Sequence, residues 1–271
     1  MFEWGIPVTV ATFVVTVTAF VIVWAVSVWL KNVAVVDFYW ATGFVVIAGL
    51  NAAATPVLDA ADNAIVITVS IWAARLVFYT GGRFFGDAHE DPRYAAFRAE
   101  AGPGWWWMSL FKVFLLQALL LFVFAAPIHA NFLADRDGVI QGLLVLGVAV
   151  FLVGFVIETF ADLQLAVFRA APGNRGRVLA ARLWKYSRHP NYFGELLVWV
   201  GITLIAFSGG APWWAAIGPL ALLGALWFVS IPLTEAHLAR TRPAYAEYQR
   251  RVSPLVPMPP KPTDPARQPA E

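Results

Sequence analysis

Cysteine is absent from this 271-residue chain, which excludes disulfides, thiolate catalysis and cysteine-ligated metals. Charge is scarce: 13% of residues are Asp, Glu, Lys or Arg, against 60% hydrophobic. The mean hydropathy of +0.68 lies outside the range of ordinary soluble domains. A pI near 9.0 would suit nucleic acid, but the basic residues follow membrane topology instead, so no nucleic-acid partner is expected. The first apolar run lacks a basic start and a small-x-small cleavage site, carries Glu3 at its head and is too long for a signal peptide. It is expected to be a membrane span. Internal repeats are missing. So is any His-x-x-x-His pair or acidic triad, so no metal site is expected, although His189 and His237 could pair on paper.

What the chain does have is apolar runs close to the length that crosses a bilayer as helix. Seven are read, at residues 6–30, 35–51, 64–80, 108–129, 139–160, 194–208 and 213–232. Lysine and arginine gather in alternate connections. Lys31 follows the first run, Arg83, Arg93 and Arg98 the third, and Arg169, Arg175, Arg177, Arg182, Lys185 and Arg188 the fifth. Arg240, Arg242, Arg250 and Arg251 follow the seventh. The other connections hold Asp59 and Asp62, then Asp135, Arg136 and Asp137, then no charge. The positive-inside rule then puts the N-terminus outside and the C-terminus in the cytoplasm, which requires an odd number of spans. The expected fold class is all-α: a polytopic membrane protein of seven helices, one domain over residues 1–259. Residues 260–271, rich in proline and charge, read as a disordered tail.

The two longest connections are cytoplasmic in this topology, and the second carries the densest chemistry. Leu183-Trp-Lys-Tyr-Ser-Arg-His-Pro-Asn-Tyr-Phe-Gly-Glu-Leu196 packs Arg188, His189, Asn191 and Glu195 against the mouth of a span. Ionisable groups there are costly and point by default to function. A basic anchor would account for Arg188 and His189, but it needs neither Asn191 nor Glu195. Upstream, Glu158 and Asp162 stand four apart, on one face of a helix, with Gln164 and Arg169 beyond. Pro172-Gly-Asn-Arg-Gly-Arg177 is a glycine-rich basic turn whose arginines suit phosphate. It lacks the Rossmann Gly-x-Gly-x-x-Gly pattern, and basic loops of this kind also meet lipid head groups.

Two polar groups fall inside early spans. Asp37-Phe-Tyr-Trp40 reads either as an aromatic belt with one stray acid, or as a donor pair, Asp37 and Tyr39, in a cavity. Arg75, Tyr79 and Arg83 recur every four residues and make one polar stripe on an apolar helix. An arginine so near a span end can also snorkel. Glu235, His237, Tyr245 and Tyr248 follow the seventh run and read as polar walls or lid contacts.

The Ser-Arg-His-Pro-Asn-Tyr-Phe-Gly-Glu run, with Glu158, Asp162 and Gln164 before it and Glu235, Tyr245 and Tyr248 after it, resembles the bacterial membrane proteins related to steroid 5α-reductases. The resemblance runs from Asp37 to Pro257. Its Arg-His-Pro-x-Tyr core is shared with isoprenylcysteine carboxyl methyltransferases, and related motifs occur in sterol reductases. The resemblance implies a seven-helix bundle in a bacterial inner membrane, with a site open to the cytoplasm. There NADPH would reduce the carbon–carbon double bond of a lipophilic enone, a 3-oxo-Δ4-steroid, that arrives from the bilayer.

The family's cofactor positions would fall on Asp162, Arg169, Arg177, Asn191 and Glu195, and the stripe would supply Arg75 and Arg83. Tyr186, Arg188, His189 and Tyr248 would complete the cofactor wall. Animal members carry a Gln-Glu pair in the second span, where this chain has Val36 and Asp37. Their third-span tyrosine falls here near Trp72. The acid donor is therefore sought in Asp37, Tyr39 or Tyr79. Two alternatives stand: an S-adenosylmethionine-dependent membrane methyltransferase of the isoprenylcysteine type, and a non-enzymatic lipid-binding protein. Membrane lipids are partners in every case. The sequence is silent on oligomeric state.

Overall fold

Long apolar helices with few internal charges satisfy their own backbone hydrogen bonds, and that is how this chain is built. The computed structural model describes residues 2–86, 92–135 and 138–262, and no side chain is described for residues 2–6, 38, 83–86 and 92–96. The helices are α1 (Phe2–Leu30), α2 (Val35–Ala53), α3 (Ala60–Gly86), α4 (Pro92–Ala101), α5 (Trp105–Ser109), α6 (Leu116–Phe124), α7 (Ala126–Leu133), α8 (Gln141–Ala170), α9 (Pro190–Ser208), α10 (Ile217–Ala225), α11 (Ile231–Thr241) and α12 (Tyr245–Arg251). A π-helical turn, Leu110–Leu115, joins α5 to α6, and another, Leu226–Ser230, joins α10 to α11. No strand occurs among the described residues beyond an isolated bridge between Ser187 and Ser253.

Among the described residues, seven helical stretches are long and apolar enough to cross a membrane. They are Pro7–Leu30, Val35–Ala53, Ala60–Gly82, Phe97–Phe124, Gln141–Ala170, Pro190–Ser208 and Trp213–Thr241. The all-α, seven-span reading therefore holds, with several ends corrected: among them, the fourth span begins at Phe97 instead of residue 108 and the seventh runs on to Thr241 instead of stopping at residue 232. The fourth span stops at Phe124 instead of continuing to His129. Pro127 has no N–H to give the carbonyl four residues back, so the helix breaks at Ala125 and α7 restarts with the proline in its first turn. The fifth span does not stop at Phe160. Its helix runs on to Ala170, because leucine, alanine and phenylalanine between the polar groups keep the sequence helical.

The chain divides into two compact units. The first comprises Met1–Val148 and Ile202–Pro219. In it α2 packs against both α1 and α3, around the buried rings of Phe20, Phe44 and Trp72. Phe44 meets Trp72 edge-on at 5.6 Å. Asp59, just before α3, and Asp62, in its first turn, are structural: each accepts the other's backbone N–H, a reciprocal cap. Fully buried Asp62 also accepts the Asn131 amide at 2.7 Å.

The second unit comprises Ala149–Gly201 and Leu220–Glu271. Its α8 and α9 touch backbone to backbone. A Cβ on Gly154 would stand 2.6 Å from the Val198 nitrogen, and one on Gly194 would stand 2.5 Å from the Glu158 nitrogen. Small residues permit this approach, the usual means of close helix packing in a membrane.

Candidate functional site

Because Gly194 lets α9 lie on the backbone of Glu158, the first turns of α9 sit against the last turns of α8. Glu158 and Asp162 face into this contact, 4% and 5% exposed. Pro190 opens α9, where its missing N–H is not needed by the helix. Asn191 in the same turn donates to Asp162 Oδ1 at 3.2 Å, while its own Oδ1 is buried and finds no donor. Glu195 is half-buried one turn on.

The loop between these helices is tied down by groups on α8. Gln164 accepts the Leu183 N–H, and Trp184 donates its indole N–H to the Ala161 carbonyl at 3.1 Å. Just before those ties Arg182 is held at φ 55°, a left-handed conformation that costs an arginine energy and persists where neighbours enforce it.

Glu235, on α11, is the hub. Its Oε1 lies 2.7 Å from Arg188 Nε and 3.2 Å from His189 Nε2, and its Oε2 accepts the Gln249 amide at 2.8 Å. The Arg188 and Glu235 side chains are each 12% exposed, so the pair is largely withdrawn from solvent. Arg188 Nη1 also donates to the Gln249 carbonyl at 2.6 Å. His189 is buried, its ring stacked on Tyr192 with centroids 5.1 Å apart.

A segment following α12 straps this loop. The Arg188 N–H donates to the Ser253 carbonyl, the Ser187 hydroxyl to the Leu255 carbonyl, and the Met258 N–H to the Tyr186 carbonyl. Tyr248 donates its hydroxyl to the Trp184 carbonyl. Burial raises the Tyr248 hydroxyl far above the usual tyrosine value. It does the same to Tyr245, whose shift the Glu235 charge enlarges. Both therefore remain protonated donors.

The structure thus brings Arg188 to His189 through Glu235, and Asn191 to Asp162. Tyr248 has its hydroxyl engaged by the main chain, and Tyr186 is 42% exposed with Lys185 Nζ 5.7 Å from its ring centroid. Arg169 and Arg177 are exposed, as are Arg175, Arg182 and Lys185. His237 is exposed too, and no group of three potential metal ligands occurs among the described residues.

The remaining sequence candidates belong to the first unit. Asp37 is half-buried in the first turn of α2. Half-buried Tyr39 meets Phe20 edge-on at 5.1 Å. On α3 the Arg75 guanidinium lies 5.6 Å from the Tyr79 ring centroid, a cation–π contact between two members of the stripe. The Arg83 side chain lies outside the described residues. Trp72, near which the resemblance would put a tyrosine, is fully buried core. Sequence reading missed Gln249, Ser187 and the strap. The strap residues lie inside the expected domain, ahead of the tail read as disordered, and no spacing in them marks these contacts.

A protein-family model described as "Protein of unknown function (DUF1295)" matches residues 23–252. An uncharacterized protein of Schizosaccharomyces pombe is 27% identical over 268 residues, covering 87% of this chain and 76% of that protein. A probable O-methyltransferase of Ustilaginoidea virens is 33% identical over 91 residues, 34% of this chain and 31% of that protein. No solved structure matches the chain significantly.

Proposed function

The chain belongs to the DUF1295 family, and on that premise we propose that it is an NADPH-dependent reductase of the conjugated carbon–carbon double bond of a lipophilic enone. A 3-oxo-Δ4-steroid is the substrate suggested by the resemblance to steroid 5α-reductases. One observation carries the reading: a loop of exposed cations, Arg175, Arg177, Arg182 and Lys185, closes onto a wall that ends in the orphaned Asn191 acceptor. Arginine forks suit the phosphates of a dinucleotide. A buried carbonyl lacking a donor suits the amide N–H of a nicotinamide. The donor set therefore fits NADPH, with Arg169 and Arg177 for the 2′-phosphate, Asp162 and Glu195 for hydroxyls, and Asn191 for the amide.

Bound NADPH supplies a hydride for the carbon β to the substrate carbonyl. The protein's part is to hold the partners and manage charge. Glu235 keeps Arg188 and His189 in place, and the Asp162 contact fixes Asn191. As negative charge builds on the carbonyl oxygen, an acid donor steadies it, and a proton then reaches the α carbon. Asp37 is the group assigned this task, with Tyr39 and Tyr79 as its alternatives. One such donor contributes about 3–4 kcal/mol to a transition state of this kind.

A second reading, methyl transfer from S-adenosylmethionine, is favoured by the partial likeness to a probable O-methyltransferase. It leaves the exposed arginines without phosphates to bind. Thermal unfolding of the detergent-purified protein separates the readings. NADPH at a hundredfold excess over its dissociation constant should stabilise by about 2.7 kcal/mol, and S-adenosylmethionine should do nothing. The reverse result replaces reduction by methyl transfer. Silence with both leaves the lipid-binding alternative. Arg169→Ala or Arg177→Ala should weaken NADPH binding far more than NADH binding in calorimetry, and equal losses would remove them from the 2′-phosphate. Asp37→Ala should lower enone turnover by about a hundredfold with NADPH affinity little changed. Near-normal turnover moves the role to Tyr39 or Tyr79.

A further inference from the structure

The helix α7 is short, enclosed and set apart from its neighbours in the chain. Ala126 to Asn131 are all buried. Ala125 leaves helical geometry before it at ψ 4°, and Ala134 is extended after it at ψ 137°. Around it pack α1, α2, α3, α6 and the turn Trp213–Ala216. A Cβ on Gly218, just beyond that turn, would stand 2.6 Å from the Phe124 carbonyl oxygen, so this cover lies directly on the helix break. Asn131 ties α7 to α3 through Asp62. His129, two residues earlier, points away from that bond. It is 3% exposed, and neither ring nitrogen has a hydrogen-bond partner. Its ring meets Phe122, with centroids 4.7 Å apart.

We propose that α7 is an acid-released latch: once His129 takes a proton, α7 leaves its place under the Trp213–Ala216 turn while the long spans stay folded. A neutral imidazole is tolerated in an apolar enclosure. An imidazolium there carries a charge and two N–H donors without an acceptor. The face of Phe122 can receive only part of that charge. Of the surrounding elements, α6 and the Trp213–Ala216 turn contain no titratable residue. Asp37 and Tyr39 lie in the first two turns of α2, at the end remote from the start of α3. Of Asp62, Arg75, Tyr79 and Arg83 on α3, Asp62 faces α7 and takes the Asn131 amide. The side chain of Glu3, on α1, lies outside the described residues. Burial holds the His129 pKa down at about 4, against an ordinary value of 6.5. The unfolded ring binds its proton more readily, so stability is full above pH 6.5 and falls as the pH drops toward 4. For an opening that frees the ring, these two values make the opening constant about thirtyfold larger at pH 5 than at pH 7.5. The lysine and arginine distribution leads us to expect this end of the bundle on the outer face, so the proton would come from outside. The latch stands apart from the reductase reading, because none of its residues belongs to the proposed cofactor wall.

Hydrogen–deuterium exchange of the full chain in detergent, at pH 7.5 and pH 5.0, tests it. Comparing wild type with His129→Phe at each pH cancels the intrinsic pH dependence of exchange. The wild-type to variant ratio of exchange in α7 should rise about thirtyfold from the higher pH to the lower, while the ratio in α8 and α9 stays constant. A ratio that does not change with pH, or one that rises equally along α8 and α9, overturns the latch. His129→Gln, polar but without a charge to gain, carries the same expectation and decides should the phenylalanine variant fail to fold. In the wild type alone, a His129 ring that charges near pH 6.5 by NMR without faster exchange in α7 overturns it as well.

Discussion

Glu235 holds three neighbours with two oxygens, and its removal would strand Arg188 in a place largely withdrawn from solvent. Breaking a buried ion pair from one side costs far more than the pair's net worth, because a charge remains without its partner. Glu235→Ala should therefore lower stability by about 3 kcal/mol, read as a fall in thermal unfolding temperature in detergent. Glu235→Gln, which keeps an acceptor for Gln249 and His189, should fall between the two. A Glu235→Ala protein that unfolds like wild type would deny the network any structural role. At this scale the sequence was legible in part. Arg188, His189, Asn191 and Glu195 announced themselves because they crowd into one short stretch at the mouth of an apolar run. Their partners did not. Glu235 lies 46 residues from His189, and no spacing rule links positions so far apart.

The elements were more legible than their ends. Apolar runs gave all seven spans because the length needed to cross a bilayer is fixed by physics. Where a span stops depends on finer chemistry. Pro127 carried a visible signal for the break before α7, whereas the continuation of α8 to Ala170 sits under polar residues that resemble a loop. The contact of α8 with α9 depends on hydrogen atoms at Gly154 and Gly194. Gly194→Leu should push α9 off Glu158 and disturb the Asn191–Asp162 bond with it. The expected result is an unfolding temperature well below wild type and loss of cofactor-induced stabilisation. Gly49, whose added Cβ meets nothing within 4 Å, serves as control through Gly49→Ala. Equal behaviour of the two variants would contradict close packing of α8 on α9.

For the molecule as a whole, seven spans require the two ends of the chain to lie on opposite faces of the membrane. From the lysine and arginine distribution we expect the connection between α8 and α9 and the residues after α11 on the cytoplasmic side. A reporter fused after Glu271 should be active only as a cytoplasmic fusion, and one inserted after Asp135 only as an external one. The opposite outcome at either place would break the seven-span topology. Fold class was readable at this scale because composition alone excludes a soluble domain. The path of the strap was not, since hydrogen bonds between Tyr186, Ser187 and Arg188 and residues 253–258 leave no periodic trace.

That strap also has a consequence in time. Ser253, Leu255 and Met258 are translated after every span, yet they close the loop that carries Arg188 and His189. A nascent chain halted just after α12 would have all seven helices in the bilayer and still hold this loop with loose carbonyls and an idle Ser187 hydroxyl. Insertion and maturation are therefore separate events. The carbonyl and hydroxyl contacts of this loop would be completed only as the final stretch folds back.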